Sequence, residues 1–81
     1  MPEFTDFYRG YAIHVQVFPI SDGKAEISCR ITNPEVARIT PLTAEVMRLP
    51  DGPFPAHMAR DIGVAFGAGV IDRYLRESDI D

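Results

Sequence analysis

The stretch from Pro55 to Glu77 constrains this chain more than any other, because between Ile62 and Ile71 it carries no charged or strongly polar side chain. Proline suits the first turn of a helix, where its missing N–H has no partner to lose. Pro55 therefore marks a helix start after the turn-forming Asp51, Gly52 and Pro53. At about 100° per residue, Met58, Ile62, Ala65, Phe66, Gly69 and Val70 form one apolar stripe, the one expected to pack on a sheet. Val64, Ala68, Ile71 and Leu75 form a second stripe on roughly the opposite side. A helix that is apolar nearly all round is buried on more than one side, and a single small sheet covers only one. The second stripe is thus the candidate interface. Its cover is the chain's own Phe4, Phe7, Tyr8 or Leu49, or a second copy of the chain.

Ten apolar residues are too few to cross a bilayer, which takes about 20, and Arg60, Asp61, Asp72 and Arg73 close both ends. No membrane association is expected. Gly63 and Gly67 each lower helix propensity by about 1 kcal/mol relative to alanine, a cost best offset where another part of the chain packs closely. Asp72 with Arg76 and Arg73 with Glu77 have the spacing of ion pairs along a solvated helix end.

The cleanest strand signal lies upstream. Lys24, Glu26, Ser28 and Arg30 alternate with Ala25, Ile27, Cys29 and Ile31, and Tyr11, Ile13, Val15 and Val17 alternate with Ala12, His14, Gln16 and Phe18. A three-residue loop of Ser21, Asp22 and Gly23, with Gly23 left-handed, sets Val17 against Ile27, Val15 against Cys29 and Ile13 against Ile31. A two-residue loop would place apolar residues against polar ones, since a slip of one residue exchanges the faces.

Between Asn33 and Pro53 four prolines break the pattern into pieces that read two ways. Thr40 as N-cap, Pro41 in the first turn and Leu42, Val46 and Leu49 at helical spacing fit a short helix. Leu42, Ala44 and Val46 alternating with Thr43, Glu45 and Met47 fit a strand. A third strand near Ala44 to Leu49 is preferred, because a two-stranded hairpin is marginal alone. The expected fold is α+β, an antiparallel sheet of about three strands packed on one long C-terminal helix. As one domain it comprises an aromatic lead-in over 1–10, a hairpin over 11–32, a proline-rich segment over 33–53, the helix over 55–77 and an acidic tail over 78–81.

The run Tyr8, Gly10, Tyr11, Ile13, followed near the end by Phe54, Pro55 and then Ile71, Asp72, resembles a loose family of short proteobacterial proteins of unknown function. The resemblance implies a β-sheet with a C-terminal helix and carries over no catalytic residue.

An 81-residue chain buries only about 60% of its unfolded surface, so its core is thin, yet 46% apolar and 25% charged residues suit a globular domain. The net charge of −4 and the absence of any Lys/Arg run disfavour nucleic acid as a partner. One cysteine leaves no internal disulfide, and no N-terminal signal pattern is present, so a cytoplasmic location is expected.

Candidate chemistry is sparse. Cys29 and His14 would be the thiol and base of a nucleophilic pair, but the strand register puts them on opposite faces. His14, His57, Asp22 and Asp61 have no metal-ligand spacing, so no metal is expected. Gly67, Gly69 and Asp72 imitate part of a phosphate loop but lie inside a helix, where N–H groups are already bonded, so no cofactor is expected. The outer sheet face with His14, Phe18 and Arg30 is the alternative surface, for nucleic acid, although base-stacking sheets use two or three aromatics in a basic field. No enzymatic constellation emerges, and the expected function is a protein-interaction or self-association module, with a homodimer as one form.

Overall fold

The computed structural model describes residues 3–33 and 46–78. Five strands form one antiparallel sheet, β1 (Glu3–Tyr8), β2 (Tyr11–Ser21), β3 (Lys24–Thr32), β4 (Met47–Arg48) and β5 (Phe54–Pro55). A 3-10 turn, Ala56–Met58, leads into the helix α1 (Ala59–Ser78), which lies across the inner face of β2 and β3. The α+β architecture matches the expectation, with more strands than the three read from the alternation. The helical reading at Thr40 and Pro41, the residues before Val46 in the expected third strand, and the tail from Asp79 lie outside the described residues.

The expected β2–β3 register holds, with Val17 opposite Ile27, Val15 opposite Cys29 and Ile13 opposite Ile31. Its turn differs. Ser21 itself pairs with Lys24, and the odd residue is taken up by a register shift between Pro19 and Ser21. Burying Ile13, Val15, Ile27, Cys29 and Ile31 on one face fixes the register, so the extra residue is displaced to the exposed strand end. Gly23 has φ 68, the left-handed conformation the turn requires.

The aromatic lead-in is a strand, which its sequence did not announce. Phe4, Asp6 and Tyr8 face inward, half-buried, while Glu3, Thr5 and Phe7 face out. Tyr8 pairs with Tyr11 across a two-residue turn in which Arg9 has φ 53 and Gly10 φ 87. Positive φ at both central residues is the hairpin geometry usually signalled by Asn-Gly, and Arg-Gly hides it.

On the opposite side of the sheet, β4 and β5 share one edge of β3. Ser28 pairs with Arg48 and Ala25 with Phe54, so five residues separate the two positions on this strand and two on β3. Pro50 and Pro53, which donate no ladder hydrogen bond, lie in this excursion. Leu49 N–H to Ile27 O (3.0 Å) and Ala56 N–H to Gly23 O (2.7 Å) extend the pairing on either side. Pro55 is therefore the last strand residue and caps the 3-10 turn, so the regular helix starts later than expected, at Ala59.

The helix meets the sheet on neither expected stripe alone. Ala59, Gly63, Gly67 and Ile71, four residues apart, are the buried row. Ile62, Phe66, Val70 and Tyr74 flank it half-buried on one side, with Val64, Ala68 and Leu75 on the other, while Met58, Ala65 and Gly69 are exposed. The reason is steric. A Cβ on Gly63 would lie 2.5 Å from Val15 Cγ1, and one on Gly67 2.6 Å from Ile13 Cγ2 and 3.1 Å from Cys29 Sγ. The two glycines let the helix settle between the two apolar stripes, which then grip the sheet from both flanks.

Candidate functional site

The candidate interface divides on burial. Ile71 is fully buried and belongs to the core, while Val64, Ala68 and Leu75 are half-buried and pack against it. Arg60, Val64, Ala68 and Asp72 form a single row at helical spacing of four. Both ends of that row are fastened to β1. Arg60 sits 5.6 Å from the centre of the Phe4 ring, and Asp72 accepts hydrogen bonds from the Tyr8 hydroxyl at 2.8 and 2.9 Å and from Arg9 at 2.9 Å. The row thus runs beside β1, whose half-buried Phe4 and Tyr8 pack against the same core as Val64, Ala68 and Leu75. Asp72 pairs with Arg9 rather than in the expected helical pair with Arg76, whereas Arg73 does reach Glu77, at 3.3 Å.

The alternative surface is built on β2 and β3 and is tied together by His14. One ring nitrogen lies 3.2 Å from Thr5 Oγ1 and the other 2.9 Å from Thr32 Oγ1, so His14 bridges three strands. Burial pushes its pKa below the usual value, Arg30 opposite it on β3 pushes the same way, and Glu3 opposes them. Phe18 is half-buried and Arg30 exposed. The face also carries Phe7, 69% exposed, which is therefore not the cover of the second helix stripe that the sequence offered, because it lies on the outward row of β1. Glu3, engaged by Gln16 at 3.0 Å, and Glu26, 3.9 Å from Arg48, leave the face mixed in sign rather than basic.

Cys29 points into the core, away from His14, and burial raises its thiol to about 11. The two are neighbours diagonally in register yet on opposite faces, so the structure does not bring them together. His57 stands exposed on the 3-10 turn, far in sequence and sheet position from His14. Among the described residues no three His, Cys, Asp or Glu side chains gather as metal ligands, and no helix is long and apolar enough to cross a membrane.

Sequence reasoning missed a cleft at the end of the sheet where α1 begins. It has a volume of about 350 Å³ and is lined by Phe4 from β1, Val17 and Pro19 from β2, Ala56 and His57 from the 3-10 turn, and Arg60 from α1. Of these, Val17 is buried in the sheet, and Phe4 and Arg60 are in contact with each other. Among the described residues no carboxylate lines it. Glu3 is turned to the outer face toward Gln16, and among the described residues Arg60 makes no ion pair. Among the described residues the cleft combines apolar walls with one permanent cation, the composition of a site that orients a small ligand by a single polar group. Comparison with protein-family models, with curated proteins and with solved structures found no match to this chain.

Proposed function

We propose that this protein is a non-enzymatic binding module whose working surface is the cleft between the β1–β2 end of the sheet and the start of α1. The observation that carries this reading is a guanidinium held over Phe4 at an apolar cleft, with no carboxylate among the described residues of its walls. A cleft of about 350 Å³ falls within the size range of small-molecule sites. The buried Cys29 thiol, raised to about 11, is poorly suited to nucleophilic chemistry near neutral pH, and His14 is occupied by two threonine hydroxyls on the far face. Both favour binding over catalysis. The helix flank of Val64, Ala68 and Leu75 is a weaker candidate for the working surface, because its row is fastened to β1 at both ends.

Mapping of backbone amide shifts with a small-molecule set containing neutral, cationic and anionic members tests the reading. The expected result is a set of saturable shifts confined to Phe4, Val17, Ala56, His57 and Arg60, lost when Ala56→Phe fills the cleft. Shifts scattered over the outer sheet face, or none at the cleft with any member, would overturn it.

A further inference from the structure

We infer that the cleft selects a carboxylate carried on an apolar body about the size of one aromatic ring, with Arg60 reading the charge and Phe4 the ring. This rests on the cleft being the working surface and adds the class of its ligand. Of the six described side chains that line the cleft, five carry no permanent charge and four, Phe4, Val17, Pro19 and Ala56, are apolar, so the body of the ligand is apolar. Among the described lining residues Arg60 supplies the one permanent positive charge, which balances one negative charge rather than the two of a phosphate ester.

The side chain is also available. Its 5.6 Å approach to the Phe4 ring is a cation–π contact, and among the described residues it donates no hydrogen bond and meets no carboxylate. A guanidinium pairs with a carboxylate through two parallel N–H donors, which fixes orientation as well as charge. The flanking acids are committed or turned away. Asp6, on the same inward face as Phe4, accepts the Phe7 N–H, Glu3 accepts from Gln16 on the opposite face of β1, Glu26 lies with Arg48 on the outer face of β3, and Asp61, exposed, is a step of about 100° round the helix from Arg60. A ligand carboxylate at the cleft therefore meets a cation that no acid among the described residues neutralises.

Phenylacetate, phenylacetamide and acetate separate the contributions, with binding followed by amide shifts in the wild type, Arg60→Gln and Phe4→Leu. Phenylacetate is expected to bind at the cleft about tenfold tighter than phenylacetamide, which corresponds to about 1.4 kcal/mol, the range of a hydrogen bond to a charged group. Acetate, lacking the ring, is expected to give no saturable shift over the same range. Arg60→Gln should reduce phenylacetate to the level of phenylacetamide without altering the latter, and Phe4→Leu should weaken both. The Gln variant loses the exposed cation–π contact with Phe4, so its unfolding midpoint should fall only slightly and binding is compared where both proteins are fully folded. Equal binding of acid and amide, or a preference that survives Arg60→Gln, would overturn the ligand class while leaving the cleft as the binding surface. Failure of every probe at the cleft would overturn both.

Discussion

At the scale of single residues, the three glycines of α1 differ in what a methyl group would meet. Alanine at Gly63 or Gly67 gains about 1 kcal/mol of helix propensity but drives a Cβ against Val15 or Ile13. Both are β-branched, with stiff side chains fixed in a buried strand, and overpacking of this kind costs about 1–3 kcal/mol. Gly63→Ala and Gly67→Ala are therefore expected to be destabilising by about 1–2 kcal/mol, read as a lower urea midpoint. Gly69 is exposed with nothing within 4 Å of an added Cβ, so Gly69→Ala should raise the midpoint by about 0.5–1 kcal/mol. Equal effects at the three positions would refute close helix–sheet approach as their reason. The Tyr8–Asp72 contact gives a pH dependence of definite sign. The Tyr8 hydrogen bond, then Arg9, holds the Asp72 carboxyl below its ordinary value, and the bond to Asp72 holds the Tyr8 phenol above its own. A depressed acid stabilises the fold above its unfolded pKa, about 4, and loses that contribution as pH falls through the folded value. A raised phenol stabilises below its unfolded pKa, about 10, and loses it as pH rises through the folded value. Tyr8→Phe should flatten the stability profile at both ends, an outcome read from thermal unfolding across pH. An unchanged acid limb would show that the contact contributes nothing.

At the scale of elements, β1, the outermost strand among the described residues, carries a feature that opposes edge-to-edge pairing. Asp6 sits on the inward face of β1, half-buried, and its Oδ1 accepts the Phe7 N–H at 2.9 Å. That donor is thereby withheld from any other strand, and an inward charge near an edge opposes pairing with a second sheet. Asp6→Val is expected to convert β1 into a more adhesive edge, detected as a concentration-dependent rise in mass by sedimentation. A variant that stays at the wild-type mass at high concentration would assign edge protection elsewhere. The hairpin of β2 and β3 was the most legible element. Alternation over both strands specified the inner face, and the inner face specified the register even though the shift falls between Pro19 and Ser21 rather than in a longer loop. β1 was illegible because its inward row, Phe4, Asp6 and Tyr8, contains a carboxylate and its outward row contains Phe7, which cancels the alternation. The two-residue β4 and β5 are too short to carry a period at all.

At the scale of the whole molecule, a two-layer fold places Cys29 between sheet and helix, where it reports on global opening. Its thiol is buried and raised to about 11, so alkylation near pH 8 should proceed only through unfolding and should slow in any variant that stabilises the fold. Labelling faster than unfolding would place an opening of the helix–sheet seam below the global transition. The cleft is a property of this scale as well. Phe4 and Arg60 are far apart in the chain and meet because β1 pairs with β2 while α1 crosses back over the same end of the sheet. The sequence by itself determined the helix and the paired inner faces of β2 and β3, because both are written in local periods that follow from backbone geometry. Only the tertiary structure decided that α1 rests on Ala59, Gly63, Gly67 and Ile71, that β1 runs beside the Val64–Ala68 row, and that Phe4 and Arg60 meet at an apolar cleft. Those outcomes depend on steric fit between surfaces distant in the chain, and a glycine's contribution to that fit is the absence of a side chain, which no hydrophobic period records.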